Sequence, residues 1–343
     1  MLTKSLQTVA AFMSGQGTAI ILLAAIVCGS LLGIALPDAS TLLGRQIDFT
    51  ILLLVFLLLF EVRIERILSS LNRIGFLAAA LIANFVVIPA IGYAIASVFL
   101  SGYPIFLIGL VIYFMAPCTD WFLGFTRLAK GNTALGAALL PINMIVQLLL
   151  YPVYLQIFGI DTIDTAASDV VQTLVQWFLL PLLMAVAFRF VADRILNDTQ
   201  MDRVQSVVSI LVPVLLAILV GQISAANIDT LVVNAVVVPL ILGAIFLFFL
   251  LTFFLSELIS KVMKLTYEDR VLMTMTTSAR NAPLMLALTM AVIPNQPALY
   301  AAIIIGMLVE LPHLVALKSV LLRHHPSPKA NAGVFDGAPA EAS

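Results

Sequence analysis

Charge is what this chain has least of. Its 343 residues hold 17 Lys and Arg against 18 Asp and Glu, 10% of the total, for a net charge of -1. A chain so nearly neutral has no basic surface for nucleic acid, which removes that class of partner. Cysteine is scarcer still: Cys28 and Cys118 both fall inside apolar runs, so neither a disulfide framework nor a closed thiolate metal centre can be read from them. No nucleophile-base-acid constellation, Walker loop or dinucleotide fingerprint occurs, which leaves an enzyme, or any cofactor, without support. What the chain does have is apolar bulk, 62% hydrophobic residues and a mean hydropathy of +1.14. That composition belongs to a polytopic membrane protein.

Apolar stretches of helix-spanning length, roughly 20 residues each, fall at 18–36, 46–62, 74–100, 104–127, 132–158, 170–190, 204–224, 231–258, 268–293 and 297–321. Ten spans are therefore expected, all of them α-helical. The basic residues test this count, because all but Arg45 and Arg280 of the 17 fall on one side of it. Asp38, Asp161, Asp164, Asp169 and Asp229 fall on the other. The positive-inside rule then places both termini in the cytoplasm of a multi-pass protein of the plasma (inner) membrane. Residues 1–17, with Leu2, Leu6, Val9 and Met13 at helical spacing, are expected to be a cytoplasmic lead-in rather than a cleaved signal peptide. Residues 323–343, rich in Ala, Pro, Gly and Ser, are expected to be a disordered cytoplasmic tail.

The two halves echo each other. Span five opens Ala134-Leu135-Gly136-Ala137-Ala138 and span ten opens Ala298-Leu299-Tyr300-Ala301-Ala302, while Pro117 and Pro283 interrupt the spans just upstream at nearly the same offset. Five is an odd number of spans, so the second half enters the membrane from the opposite face. Residues 18–158 and 170–322 are thus expected to be inverted five-helix repeats, with discontinuous helices 4 and 9 crossing near the midplane.

The stretch Tyr113 to Asn132, YFMAPCTDWFLGFTRLAKGN, sets Pro117, Cys118, Thr119 and Asp120 side by side within span four. Pro117 removes a backbone donor and clashes with the turn before it, so the helix must kink or break. A charge at bilayer centre costs at least roughly 2.5 kcal/mol, so Asp120 must face protein or water. Span nine carries the matching knot of Thr274, Thr276, Thr277, Ser278, Arg280 and Asn281 before Pro283. Arg280 is the cation stranded at depth and Asp120 its expected counter-charge. Their pairing has two readings: a structural salt bridge closing the crossing, or a substrate site in which Arg280 meets an anion and Asp120 releases a proton. Cys118 beside a helix-breaking proline and a cation is expected to be a reactive thiol suited to soft, thiophilic partners, whereas Cys28 reads as an inert hydrophobe. Glu310 and His313 share a face of span ten, where a carboxylate and an imidazole could relay protons; the favoured reading has His313 cap carbonyls freed by Pro312 and Glu310 function at depth. Asn143 and Gln147 share a face of span five, either lining the cavity or bonding a neighbouring helix.

Cys118 through Asn132, with its Leu128-Ala129-Lys130-Gly131-Asn132 close, resembles the fourth span of the arsenical-resistance (arsenite) permeases of the bile acid:sodium symporter superfamily. Thr277-Ser278-Ala279-Arg280-Asn281 resembles their ninth-span motif, and Val309-Glu310-Leu311-Pro312 resembles their tenth-span Val-Glu-Val-Pro. The resemblance covers essentially all of the spans in order. It implies a core of spans 3–5 and 8–10, whose fourth and ninth helices cross while unwound, beside a panel of spans 1, 2, 6 and 7. It also implies proton-driven export of arsenite with Cys118 as the essential thiol. The sequence departs from those permeases at the crossing. They usually carry Arg just before the cysteine, where Pro117 stands, and an acidic Asn-Asn-Phe-Glu-Leu motif where Arg280-Asn281-Ala282-Pro283-Leu284 stands. A cation in span four and an anion in span nine have become Asp120 and Arg280, an exchange that keeps local neutrality.

The combined expectation is a secondary transporter exporting arsenite or a related thiophilic oxyanion by proton antiport. Cys118, Thr119, Asp120, Ser278, Arg280, Asn281 and Asn143 are the candidate substrate contacts, and Asp120 and Glu310 the candidate ion-coupling groups. The alternative is sodium-coupled symport of a small organic anion, against which stands Thr276-Thr277-Ser278-Ala279-Arg280-Asn281 in place of the symporters' Glu-Thr-Gly-x-Gln-Asn.

Overall fold

The computed structural model describes residues 16–36, 42–60, 73–119, 121–158, 172, 179–226 and 235–324. The lead-in before Gln16, the tail beyond His324, the outer acidic residues, Glu61 and Asp120 lie outside the described residues. Among the described residues the regular elements are all helical: α1 (Gln16–Ala35), α2 (Ile47–Phe60), α3 (Ile74–Leu100), α4 (Pro104–Met115), α5 (Trp121–Leu128), α6 (Thr133–Phe158), α7 (Leu180–Ile195), α8 (Asp198–Ala226), α9 (Val238–Val262), α10 (Tyr267–Ser278), α11 (Ala282–Val292) and α12 (Pro297–Arg323). Six helical stretches are long and apolar enough to cross a membrane, one of them being α2 with the residues leading into it (Leu42–Phe60), while Ile20–Ala35 of α1, α4 and α11 are shorter apolar helices. The chain is an all-helical, polytopic membrane protein. Its helices are apolar around most of their circumference, and Val98, Leu149, Phe246 and Val262 stand exposed where lipid would cover them.

Two expected spans are each divided. Span 104–127 is α4 and α5 separated at 116–119, and span 268–293 is α10 and α11 separated at 279–281. Pro117 lies in the first break, but Pro283 lies just beyond the second, in the opening turn of α11 where its missing N–H costs nothing. The sixth expected span, α7, runs on to Ile195, past the expected limit of 190. Within it Arg189 reaches the carbonyl of Phe60 at 3.4 Å and its ring face at 5.6 Å, with Asp193 one turn on as its ion partner.

Packing divides the helices into two groups. α1, α2, α7 and α8 pack on one another, as do α3, α4, α9, α10 and α12, with α2 against α11 and α1 against α12 joining the groups. The α1–α8 contact is backbone on backbone. A Cβ at Gly29 would overlap the carbonyl oxygen of Gly221, and one at Gly33 that of Ala225, the close approach that small residues one turn apart permit.

The basic ends of several helices are tied together. Asp269, buried at the start of α10, accepts from Arg73 at the start of α3 and from Asn132 Nδ2 at 2.8 Å. Asn132 N–H reaches Glu268 O at 3.0 Å, and Tyr267 donates to Ala129 O and Leu321 O. The Leu128-to-Asn132 run is therefore a turn: Lys130 takes a left-handed backbone (φ 60°), and Gly131 is pressed by Val271 and Thr126 where any side chain would sit.

Replacing Gly29 and Gly33 with Ala is expected to force α1 and α8 apart, at a cost of about 1–3 kcal/mol per site. A lower thermal midpoint in detergent would register it. Gly75→Ala, with nothing within 4 Å of the added methyl, is expected to leave that midpoint unchanged or raised.

Candidate functional site

The two breaks are joined by a short antiparallel pairing of Pro117 with Arg280. Cys118 N–H donates to Ala279 O at 3.0 Å and Asn281 N–H to Ala116 O at 2.9 Å. Residues 117 and 280 thus form the pair whose own backbone groups the ladder does not use. A proline is harmless at the first position, because no N–H is asked of it. At the second, the spare Arg280 N–H donates to Glu310 Oε1 at 2.9 Å.

The pairing diverts two amides that would otherwise continue the helices, and Glu310 diverts a third. Cys118, Arg280 and Asn281 N–H would have gone, four residues back, to Phe114, Thr276 and Thr277 O. Those three carbonyls all receive the Arg280 guanidinium instead: Nη1 reaches Phe114 O at 3.1 Å, and Nη2 reaches Thr276 O at 3.1 Å and Thr277 O at 2.6 Å. Asn84 Oδ1 lies 3.4 Å from Nη2, and the Phe248 ring centroid lies 5.8 Å from the guanidinium carbon. Arg280 is only 1% exposed, so the charge is held wholly inside protein.

The remaining candidates gather at the same place. Cys118 is buried, and its Sγ accepts the Trp121 N–H at 3.3 Å, which puts the thiol at the N-terminus of α5. Asn281 caps α11 through Leu284 N–H at 3.4 Å and donates from Nδ2 to Thr119 Oγ1 at 3.0 Å, linking the two breaks through side chains. Glu310 receives Tyr113 Oη at 3.2 Å as well as the Arg280 amide, so α12 is fastened to α4 and to the second break. Asn143 Nδ2 reaches Thr276 Oγ1 at 3.4 Å, while Asn143 Oδ1, Ser278 Oγ and Arg280 Nε are buried without a hydrogen-bond partner among the described residues. Gln147 is buried on the same face, its Nε2 on Met144 Sδ and its Oε1 unpartnered. Asp120 lies outside the described residues, and so does its pairing with Arg280.

The His313 ring stacks flat on Phe249 at 3.9 Å, and its buried Nε2 has no hydrogen-bond partner among the described residues, so that nitrogen caps no described carbonyl. Asn84 was not singled out from sequence. It sits in a π-helical turn, Ala83–Val87, that precedes Pro89, and it bridges Thr276 Oγ1 (3.1 Å) and Arg280. The available signal was a lone amide within 27 apolar-rich residues of span three.

Bilayer-length helices, two of them interrupted, with the interruptions clasped around buried charge, are the construction of a secondary transporter's binding region. The chain belongs to the sodium bile acid symporter family, whose family model matches residues 49–221, from α2 through the first break into α8. It is also 25% identical over 301 residues, 84% of this chain and 79% of the relative, to the arsenical-resistance protein Acr3 of Corynebacterium glutamicum. It is a membrane transporter and not an enzyme.

Glu310→Ala would strand the buried Arg280 N–H and Tyr113 hydroxyl, at about 1–3 kcal/mol for each orphaned group. A marked fall in thermal midpoint in detergent is expected, with Glu310→Gln, which keeps an acceptor in place, falling less.

Proposed function

We propose that this chain exports arsenite or a related thiophilic oxyanion by proton antiport, as an arsenical-resistance transporter of the plasma membrane with both termini cytoplasmic. The observation that carries the reading is the buried Cys118 thiol, set at the N-terminus of α5 against the paired breaks. The N-termini of α5 and α11 both begin there, and the positive ends of half-helices favour an anionic or electron-rich ligand. Sulfur is the soft ligand that a thiophilic centre seeks. Ser278 Oγ, Asn143 Oδ1 and Arg280 Nε are buried groups with hydrogen-bonding capacity to spare among the described residues, and Thr119 and Asn281 complete the polar surround. Asp120 supplies a second charge, and Asp120 or Glu310 carries the coupling proton.

The fold supports an alternating-access cycle of the following form. Residues 18–158 and 170–322 are inverted repeats of five spans each, with α4/α5 and α10/α11 as the broken fourth and ninth. The group containing the breaks rocks against α1, α2, α7 and α8, and the basic ends of the helices face the cytoplasm.

Everted vesicles carrying the native chain are expected to accumulate arsenite when a proton gradient is imposed. Cys118→Ser should reduce this to background while Cys28→Ser, whose thiol is exposed on α1, leaves it intact. Gradient-independent movement, or movement indifferent to Cys118, would sink the reading and turn attention to sodium-driven uptake of small organic anions.

A further inference from the structure

The surroundings of the Arg280 guanidinium are those of a cation site. Phe114 O, Thr276 O, Thr277 O and Asn84 Oδ1, drawn from three separate spans, approach it at 2.6–3.4 Å. Three of the four are backbone carbonyls at the ends of interrupted helices, the groups from which transporters build sites for coupling cations. Each helix C-terminus presents about -0.5 of an elementary charge. The ends of α4 and α10 together therefore call for about one positive charge, which a single guanidinium supplies. The Phe248 ring closes a further side with its negative face at 5.8 Å.

We propose that this oxygen cage is a binding site for a monovalent cation and that Arg280 fills it permanently as a tethered ion. The charge that a free cation would carry in and out of the crossing is here part of the polypeptide. It cannot dissociate, so no ion gradient acts through this site, and coupling must run through a group able to exchange its ion with water. The cage itself is an equilibrium property of the folded chain. Only this consequence for coupling rests on the transport reading given above.

The test is thermal unfolding of the purified full-length chain in detergent without any transport substrate, so arsenite flux has no bearing on its outcome. Arg280→Ala empties the cage and lowers the midpoint. Guanidinium chloride at millimolar concentration is expected to raise the midpoint of that variant by about 3 °C or more. Choline chloride at equal ionic strength and the neutral isostere urea should not, and the native chain should respond to none of the three. A variant indifferent to guanidinium, or raised equally by choline or urea, would overturn the proposal. If Arg280→Ala yields no folded protein, Arg280→Lys is compared with Arg280→Gln. The site as a cation cage requires Lys to melt above Gln, because Lys keeps the charge while Gln keeps only a donor. Equal midpoints, or Gln above Lys, would overturn it.

Discussion

Backbone polar groups have no water to turn to at membrane depth, and the structure of this transporter is arranged around that constraint. Two helices stop inside the bundle, and each stop frees carbonyls and amides that would cost several kcal/mol apiece if left bare. The solution is reciprocal. The amides of one break are taken by the carbonyls of the other, through Cys118 to Ala279 and Asn281 to Ala116. The carbonyls thereby abandoned by those amides, at Phe114 and Thr277, turn to Arg280, as does Thr276 O, whose own amide has gone to Glu310. Removing any one of these groups strands another, so the crossing behaves as a unit.

The surroundings reinforce this unit. Asn84 reaches it from the π-helical turn of α3, Asn143 touches Thr276 from α6, and Tyr113 and Glu310 fasten α12 to α4. At the basic ends of the helices, Asp269, Asn132, Arg73 and Tyr267 tie the same elements together a second time. These helices are thus held at two levels. The α1–α8 pair, by contrast, is joined through a glycine seam, and it meets the rest mainly through α2 on α11 and α1 on α12. Strong cohesion within each group and sparser joining between them is the mechanical condition for one group to move against the other.

Much of this was legible in the sequence because lipid narrows the choices. Apolar length locates helices, and a proline beside Cys118 and Thr119 in an apolar span has few meanings other than a break. What resisted reading was anything decided by three-dimensional satisfaction of hydrogen bonds. A buried arginine asks for negative charge, but no charge count reveals that its guanidinium would close on backbone carbonyls as well, since those are open only because two helices stop opposite each other. Asn84 went unnoticed for the same reason: its importance lies in a helical irregularity that leaves no periodic trace. His313 looked like a capping group on its own helix, yet the ring of Phe249, from a different helix, decides its orientation. The Leu128-to-Asn132 run carries its reason only in three dimensions, where Gly131 is wedged against Val271 and Thr126.

The pairing of residues 117 and 280 bears on how such proteins diverge. Partners at a position of this kind lie with Cα atoms only about 4.5 Å apart and side chains on a common face. The permeases that this sequence resembles usually carry arginine where Pro117 stands, and here the arginine stands directly across the ladder from that position. Side chains rooted on either strand reach the same space, and neither backbone N–H is needed by the ladder. The positive charge of the crossing can therefore change strands through ordinary substitutions while the path of the main chain stays as it is. Lineages of this architecture can then differ in which helix bears the cation and still share one crossing.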